Sequence, residues 1–249
     1  MTDGLLMFAK YAFPPNVLQF CGPVEIGSIF ESFKGDKKAR EIKNLLLQFS
    51  GAVPYLQLIA GSNGIKDIFD ERVVGAYWLG NNLLGNVEVK DVYRHIEGRF
   101  KKNINKKDWH WLISGSMPEA KPFHGFHVFD IYRRAGLLRS GDKNNILETM
   151  DKCRIGWGKV ESVDLNNRSK KNLSFGIALV SYSPLEFFEK KIRFGGETIR
   201  KFFLVDESIK KGDEVSFHWD YVCDRITPIQ KKNLIYWTNY HLNLANQTI

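Results

Sequence analysis

The sequence predicts an α+β fold: a mainly helical N-terminal domain, residues 1–150, followed by a small OB-like β-barrel with a C-terminal helix, residues 151–249. Two observations support this division. In the first part, apolar residues recur at helical spacing. After Asp151 the pattern changes to short alternating runs separated by Asn-Asn and Gly-Asp turns, which are typical of strands in a small barrel.

The helical prediction rests on segments with helical periodicity and end signals. Asp70 is the expected N-cap of one helix that closes near Gly85. The other predicted helices are Ala39–Phe49, Val53–Ala60 and Val89–Phe100. The segment Phe123–Tyr132 is open to two interpretations, a buried strand or a packed helix, because its apolar run is too short for periodicity to decide.

The second part contains short alternating runs and one strong helix signal. The predicted strands are Lys159–Val163, Leu173–Tyr182, Ile199–Val205 and Glu214–His218. Between them, Pro184–Arg200 is interpreted as an insertion, with Gly195-Gly196 as a hairpin turn. Thr227 followed by Pro228 predicts the start of the closing helix, since threonine caps helices and proline suits the first helical turn.

Composition narrows the class of protein. The chain has 249 residues, 43% of them hydrophobic and 26% charged, which is typical of a globular protein. No apolar run reaches the roughly 18 residues of a membrane-spanning helix, and the N-terminus lacks the pattern of a signal peptide. With only 3 cysteines a disulfide framework is not expected. We therefore expect a cytoplasmic protein that does not contact the membrane.

The formal net charge of +8 raises the question of nucleic-acid binding. The lysines are scattered in short pairs, which is typical of solvated surfaces, so nucleic acid is not the favoured partner. Only Trp109-His110-Trp111, which lies beside four lysines, suits base stacking. An OB-like nucleic-acid-binding protein therefore stays an alternative.

Cys153 and His218 are the principal candidates for chemistry. Cys153 lies just before a predicted strand, between Lys152 and Arg154. Neighbouring positive charges stabilise a thiolate, the form that attacks electrophiles and binds metals. The alternative is a small buried apolar residue, the usual role of a free cysteine. His218 ends a later strand, after a Gly-Asp turn, and is either a structural residue or a ligand.

The order of these features resembles the HypC/HupF chaperones of nickel–iron hydrogenase maturation. CRIGWGKV, starting at Cys153, and GDEVSFH, ending at His218, are similar to the two signatures of that family. The helix expected from Thr227 corresponds to its C-terminal helix. Across the whole chain, the motifs FCGP, AYWLGN, HGFHVF, CRIGWG and HWDYVCD also resemble an uncharacterised bacterial protein family.

The resemblance to the chaperones implies a role and a cargo. In that family the cysteine and the histidine hold an Fe(CN)2CO unit and pass it to the large hydrogenase subunit. It therefore implies that Cys153 and His218 bind Fe(CN)2CO or iron, and that the partners are the hydrogenase large-subunit precursor or other maturation proteins. The role would be delivery rather than turnover.

Other residues are secondary candidates for a metal site. His124 and His127 share a face if their segment is helical and point to opposite faces if it is a strand. With Cys21, Cys153 or Cys223 they would approach the four ligands of a structural zinc site. Packed histidines are the alternative interpretation.

A cysteine-dependent enzyme is the other alternative. Cys153, His218 and Asp220 have the composition of a nucleophile, a base and an orienting acid. The sequence contains no nucleophile elbow and no recognisable oxyanion-hole motif to accompany them.

Overall fold

The computed structural model describes residues 3–23, 29–30, 39–132, 134 and 143–248. It confirms the predicted α+β class: helices fill the N-terminal part, a closed five-stranded barrel follows, and a helix ends the chain. Among the described residues, none of the helices has the length and apolar character required to cross a bilayer.

Eight longer helices lie within the described residues. They are α1 Asp3–Val17, α2 Ala39–Leu46, α3 Val53–Ser62, α4 Glu71–Trp78, α5 Val89–Phe100, α6 Lys106–Ser114, α7 Lys143–Cys153 and α8 Pro228–Asn246. The ambiguous segment is helical: a single turn, His124–Phe126, continues as a π-helix, His127–Tyr132. Helices α1, α6 and α7 were not predicted from the sequence.

Helix α4 begins as predicted and ends early. The Asp70 side chain accepts a hydrogen bond from the Arg72 backbone N–H, which confirms it as the N-cap. The helix stops at Trp78 rather than near Gly85, because Gly80 adopts a left-handed φ of +78°. A Cβ on Gly80 would lie 2.1 Å from the Trp237 ring of α8, so only glycine fits at this position.

The strands form one barrel and one separate hairpin. They are β1 Gly156–Asp164, β2 Gly176–Tyr182, β3 Leu185–Phe188, β4 Lys191–Phe194, β5 Thr198–Leu204, β6 Glu214–His218 and β7 Tyr221–Arg225. The barrel closes in the order β1-β2-β5-β7-β6, with β5 and β7 parallel and the other neighbours antiparallel. Strand β7 was missed in the sequence.

The predicted insertion contains the β3–β4 hairpin, but the predicted turn was wrong. The chain reverses at Glu189 and Lys190, which have φ values of 48° and 61°. Gly195 instead closes the base of the hairpin, where its N–H donates to the Pro184 carbonyl.

The barrel interior is packed with apolar side chains. Its buried members are Val160, Ala178, Val180, Tyr182, Phe202, Leu204, Ile209, Val215, Phe217 and Val222. Gly156 explains one feature of the CRIGWG motif, because a Cβ there would lie 2.0 Å from the Phe217 ring. Glycine at this position lets β1 pass directly over that ring.

The two parts of the chain share one large core. Tyr221 and Cys223 of the barrel belong to the same buried cluster as most of the helical part. Helix α7 runs through the predicted boundary after residue 150 and ends at Cys153. The division into domains 1–150 and 151–249 stays a prediction.

The closing helix ties the barrel back to the helical part. Thr227 and Gln230 form a reciprocal capping box at its start, which confirms the predicted N-cap. Further along α8, the Tyr240 hydroxyl donates to the Glu119 carbonyl. On the opposite flank, Lys10 of α1 forms ion pairs with Asp206 and Asp224 at 3.1 and 3.0 Å.

Candidate metal centre

A cavity of about 160 Å³ lies where the helical part meets one end of the barrel, and we call it the chamber. Most of its wall is apolar or aromatic. It is lined by Ala12, Pro15, Phe20, Cys21, Phe49, Gly51, Ala52, Tyr77, Trp78, His124, His127, Tyr132, Thr149, Cys153, His218 and Trp219. Phe20 is the only exposed residue among them, and its ring stacks on the Trp219 indole with centroids 4.2 Å apart.

Three potential metal ligands converge in the chamber. One ligand atom from each of His124, Cys153 and His218 lies within 4.8 Å of the other two. Donor atoms bound to one tetrahedral ion are about 3.5 Å apart, given bonds of about 2.0–2.3 Å. Small side-chain movements would therefore bring these three donors onto a single ion. All three residues are buried.

The chain positions His218 through an orphaned helix carbonyl. Tyr11 lies four residues before Pro15, and proline has no N–H to donate to that carbonyl within α1. His218 supplies the missing donor: its Nδ1–H donates to the Tyr11 carbonyl at 2.8 Å. This bond fixes the tautomer: with the proton on Nδ1, Nε2 carries the lone pair of the ring.

His124 is held by a second helix-end carbonyl. Its Nε2–H donates to the carbonyl of Cys153, the last residue of α7, at 2.8 Å. Its Nδ1 is 3.2 Å from the Tyr77 hydroxyl and accepts a hydrogen bond from it. Both ring nitrogens are thus engaged. Burial lowers the pKa of His124 to about 4 and that of His218 to about 3, so both rings are neutral at pH 7.

The predicted cationic environment of Cys153 was wrong. The Arg154 guanidinium turns to the Asp151 carboxylate, with Nε 2.9 Å from Oδ1, and the Lys152 ammonium lies 2.6 Å from Glu148. Burial raises the pKa of the Cys153 thiol far above its usual range, and the neighbouring Cys21 thiol adds to this rise. Without a metal the group is a thiol, because burial disfavours the charged form.

The secondary candidates divide between the chamber and the main core. Cys21 and His127 line the chamber, and the Nδ1 atom of His127 lies 3.0 Å from the Tyr55 hydroxyl. Cys223 is fully buried in the main core and does not line the chamber, and its Sγ faces the Tyr221 carbonyl at 3.8 Å. The chamber therefore offers two thiols and three imidazoles from the predicted set.

The predicted nucleophile–base–acid arrangement is wrong in its third member. The Asp220 carboxylate pairs with Arg200, and the His218 N–H that an acid would orient donates to the Tyr11 carbonyl. A neutral, deeply buried thiol is also a poor nucleophile. The site therefore has the residue types of a Cys-His hydrolase, but its thiol is not activated as a nucleophile.

Three polar atoms of chamber-lining residues are buried without a partner among the described residues: Nε2 of His218, and the indole N–H groups of Trp78 and Trp219. Buried polar groups are normally hydrogen-bonded, so such a concentration needs an explanation. A metal bound to His218 would give its Nε2 a partner. The donor set of a thiol and imidazoles suits zinc, copper, nickel or iron rather than calcium or magnesium.

The fold and the site define a class of protein: an α+β chain that encloses a cysteine–histidine centre between helices and a barrel. By sequence the chain belongs to a family of unknown function, DUF6390, whose profile matches residues 1–249. This confirms the expected membership of an uncharacterised family. No curated protein and no solved structure matches the chain.

Sequence reasoning missed the residues that complete the site. The Tyr11 carbonyl and the Tyr77 hydroxyl hold the two imidazoles. The backbone N–H of Trp219 donates to the Lys152 carbonyl at 2.6 Å, which fastens the β6–β7 turn to the end of α7. One signal was present: a Pro-Pro pair within a helix frees carbonyls of the preceding turn. The tyrosine and tryptophan contacts are long-range and leave no local pattern.

Proposed function

We propose that this protein binds a thiophilic metal centre in the chamber through Cys153 and His218, and that it carries this centre as cargo. The observation that supports the proposal most strongly is the convergence of buried Cys, His and His donors on one small cavity. A thiolate and an imidazole are the ligands that soft and borderline transition metals prefer. A site with only two protein ligands, the Cys153 thiolate and the His218 imidazole, also suits reversible binding better than a closed site with four protein ligands.

Binding is coupled to one proton. A metal binds the thiolate, so the Cys153 thiol must release its proton to solvent when the metal–sulfur bond forms. His218 is already neutral, because burial lowers its pKa to about 3. Between pH 6 and 8 the apparent association constant therefore rises about tenfold per pH unit.

The specific cargo that we propose is Fe(CN)2CO, or iron itself, for delivery to a hydrogenase large-subunit precursor or another maturation protein. The resemblance of CRIGWGKV and GDEVSFH to the HypC/HupF signatures motivates this choice. The two buried indole N–H groups support it, since cyanide nitrogens accept hydrogen bonds. The chamber is also smaller than the roughly 300–1,000 Å³ of typical pockets for organic ligands, which favours a small inorganic group.

Anaerobic titration with Co(II) or Fe(II) tests the site itself. We expect wild-type protein to bind one metal ion with a thiolate-to-metal charge-transfer band, and Cys153→Ala to lose that band. His218→Ala should weaken binding more than about 100-fold, because changes beyond the ligands already cost about 10–100-fold.

The chain provides matched controls for both variants. Cys223 is an equally buried cysteine outside the chamber, and His241 is an equally buried histidine outside it. Cys223→Ala and His241→Phe should bind as the wild type does. Equal losses in the control variants, or binding that persists in Cys153→Ala, would refute the proposed site.

The cargo requires a separate experiment. Protein co-expressed with hydrogenase maturation proteins and purified anaerobically should carry iron and show infrared bands of bound CN and CO. Cys153→Ala purified in the same way should not. If the wild-type protein binds Co(II) but never acquires these bands or a hydrogenase partner, the metal site stands and the hydrogenase role is wrong.

A further inference from the structure

The thiols and imidazoles that line the chamber differ in their access to solvent. Four of these residues are buried, with at most 5% of each exposed: His124, His127, Cys153 and His218. Cys21 is only partly buried, and it follows Phe20, the exposed residue of the chamber lining. We call this edge of the chamber, formed by Phe20 and Cys21, the mouth. Cys21 is the potential metal ligand that solvent reaches there.

The turn that contains Cys21 is held by a buried side chain. The Asn16 amide, in a residue that is 1% exposed, donates to the Cys21 carbonyl at 3.1 Å and to the Pro23 carbonyl at 2.7 Å. The Cys21 N–H donates to the Pro15 carbonyl at 3.3 Å. Both backbone groups of Cys21 are therefore bonded, which fixes the residue just beyond the end of α1.

The sulfur of Cys21 lies beside the chamber. A Cβ on Gly51, another residue of the chamber lining, would lie 3.4 Å from Cys21 Sγ. Cys153 and His218 line the same cavity, and His218 Nε2 is buried without a hydrogen-bond partner among the described residues. A partly exposed thiol at the mouth and a buried thiol and imidazole inside thus share one space of about 160 Å³.

A metal ion that enters this mostly apolar cavity must replace its water ligands on the way. Losing that water without a replacement is costly, because an ion in an apolar environment is unfavourable unless other groups solvate it. A thiol at the mouth offers a ligand before the last water leaves, and sulfur ligands suit thiophilic metals. The ion would then have a protein ligand at every stage between solvent and the inner site.

We propose that Cys21 is an entry ligand, which binds the metal ion at the mouth and passes it to Cys153 and His218. This inference rests on the proposed metal site. The Cys21 thiol loses a proton as its sulfur binds the ion. In the transfer the bond to Cys21 breaks, the bond to Cys153 forms, and the Cys153 proton replaces the metal on Cys21. One proton is released overall, no electron is transferred, and release of the metal follows the same steps in reverse.

Removal of an entry ligand should change rates and leave the binding equilibrium in place. Stopped-flow mixing with Co(II) measures uptake, and transfer to excess chelator measures release. We expect Cys21→Ala to slow both about tenfold and to change the dissociation constant less than about twofold. Cys223→Ala is the matched control, because Cys223 is buried outside the chamber, and it should keep the wild-type rates.

The kinetic outcomes separate this inference from the metal site. Uptake and release that are as fast in Cys21→Ala as in the wild type would overturn the inference alone. A dissociation constant that rises together with the release rate would also overturn it, because Cys21 would then be a resident ligand. Wild-type protein that binds no Co(II) would refute the proposed metal site and, with it, the entry role.

Alkylation of the wild-type protein gives a second readout that needs no variant. Without metal, iodoacetamide should modify Cys21 at least about tenfold faster than Cys153 or Cys223, because both of those thiols are buried. In protein loaded with Co(II), Cys21 should stay reactive, since it no longer holds the ion. Peptide mass spectrometry locates the modified residue. Slow modification of Cys21 without metal, or its protection in the loaded protein, would contradict the entry role.

Discussion

The barrel interior and the chamber are both buried, yet they are built from opposite materials. The interior is filled by apolar side chains such as Val180, Phe202 and Leu204, and its one ionisable member is Tyr182. The chamber, at the end of the same barrel, contains thiols, imidazoles and indoles, three of whose polar atoms lack partners among the described residues. The polar and metal-ligating side chains therefore lie where the helices close the barrel, not in its interior.

This contrast separates stability from binding. Side chains in the barrel interior stabilise the fold by burying apolar surface. The chamber side chains keep neutral polar groups buried, and burying polar groups without partners lowers stability. Variants in the barrel interior should therefore lower the free energy of unfolding and leave metal binding unchanged, whereas variants in the chamber should change metal binding.

A decrease in pH should have the largest effect on the free energy of unfolding. Burial lowers the pKa of His124 to about 4 and of His218 to about 3, and that of His127 well below its usual range. The unfolded state binds these protons from about pH 6.5 downward, so stability falls as the pH falls below that value. From pH 7.5 to 5.0 the loss should be about 2 kcal/mol per ring, or about 6 kcal/mol together.

Urea unfolding at the two pH values measures this loss. A His218→Phe variant has one ring fewer to protonate and should lose about a fifth of the pH dependence, because burial also lowers the pKa of His95 to about 4 and that of His241 to about 3. If the free energy of unfolding is equal at pH 7.5 and 5.0, the chamber imidazoles do not have lowered pKa values.

A cavity in the barrel should have the next largest effect. Phe202 is fully buried and its ring lies 4.5 Å from that of Phe217. Phe202→Ala should lower the free energy of unfolding by about 3–5 kcal/mol. Because the site is outside the barrel interior, the affinity for Co(II) measured well below the melting temperature should change less than about twofold. A large loss of affinity would mean that barrel and chamber are not separable.

The smallest effect should come from the exposed edge of the chamber. Phe20 is 63% exposed and covers Trp219, which is 7% exposed. Because Phe20 covers Trp219 at the exposed edge of the chamber, Phe20→Ala should speed Co(II) uptake and release by similar factors, about threefold to tenfold, and leave the dissociation constant nearly unchanged. Stopped-flow mixing and chelator-induced release measure the two rates. Unchanged rates would place the route to the chamber elsewhere.

Much of the fold was readable because it is encoded locally. The Thr227 cap, the Asp70 cap and the helix Val89–Phe100 are encoded within a few residues each, and the structure confirms all three. Helix α1 was hidden because its two prolines argue against a helix; Pro14 and Pro15 lie in its last turn, where they remove the donors to the Lys10 and Tyr11 carbonyls but leave the earlier turns intact. Strand β7 was hidden by its shortness.

The site was only partly readable. Cys153 and His218 were singled out from a remote pattern, and the structure brings them together with His124. Lys152 and Arg154 were expected to stabilise a thiolate at Cys153, and they do not. Neighbours in sequence are therefore a poor guide to the charges around a side chain. Long side chains reach carboxylates on their own helix before they reach the adjacent thiol. Partners such as Tyr11 and Tyr77 depend on tertiary packing that no local rule describes.

Pro15 carries a consequence for anyone who tries to make this protein more robust. A routine improvement would replace it with alanine, which would return an amide hydrogen to the Tyr11 carbonyl and strengthen the last turn of α1. His218 would then compete with its own backbone for that oxygen. The more stable helix would hold the imidazole less firmly, so we expect Pro15→Ala to raise the melting temperature and to weaken Co(II) binding.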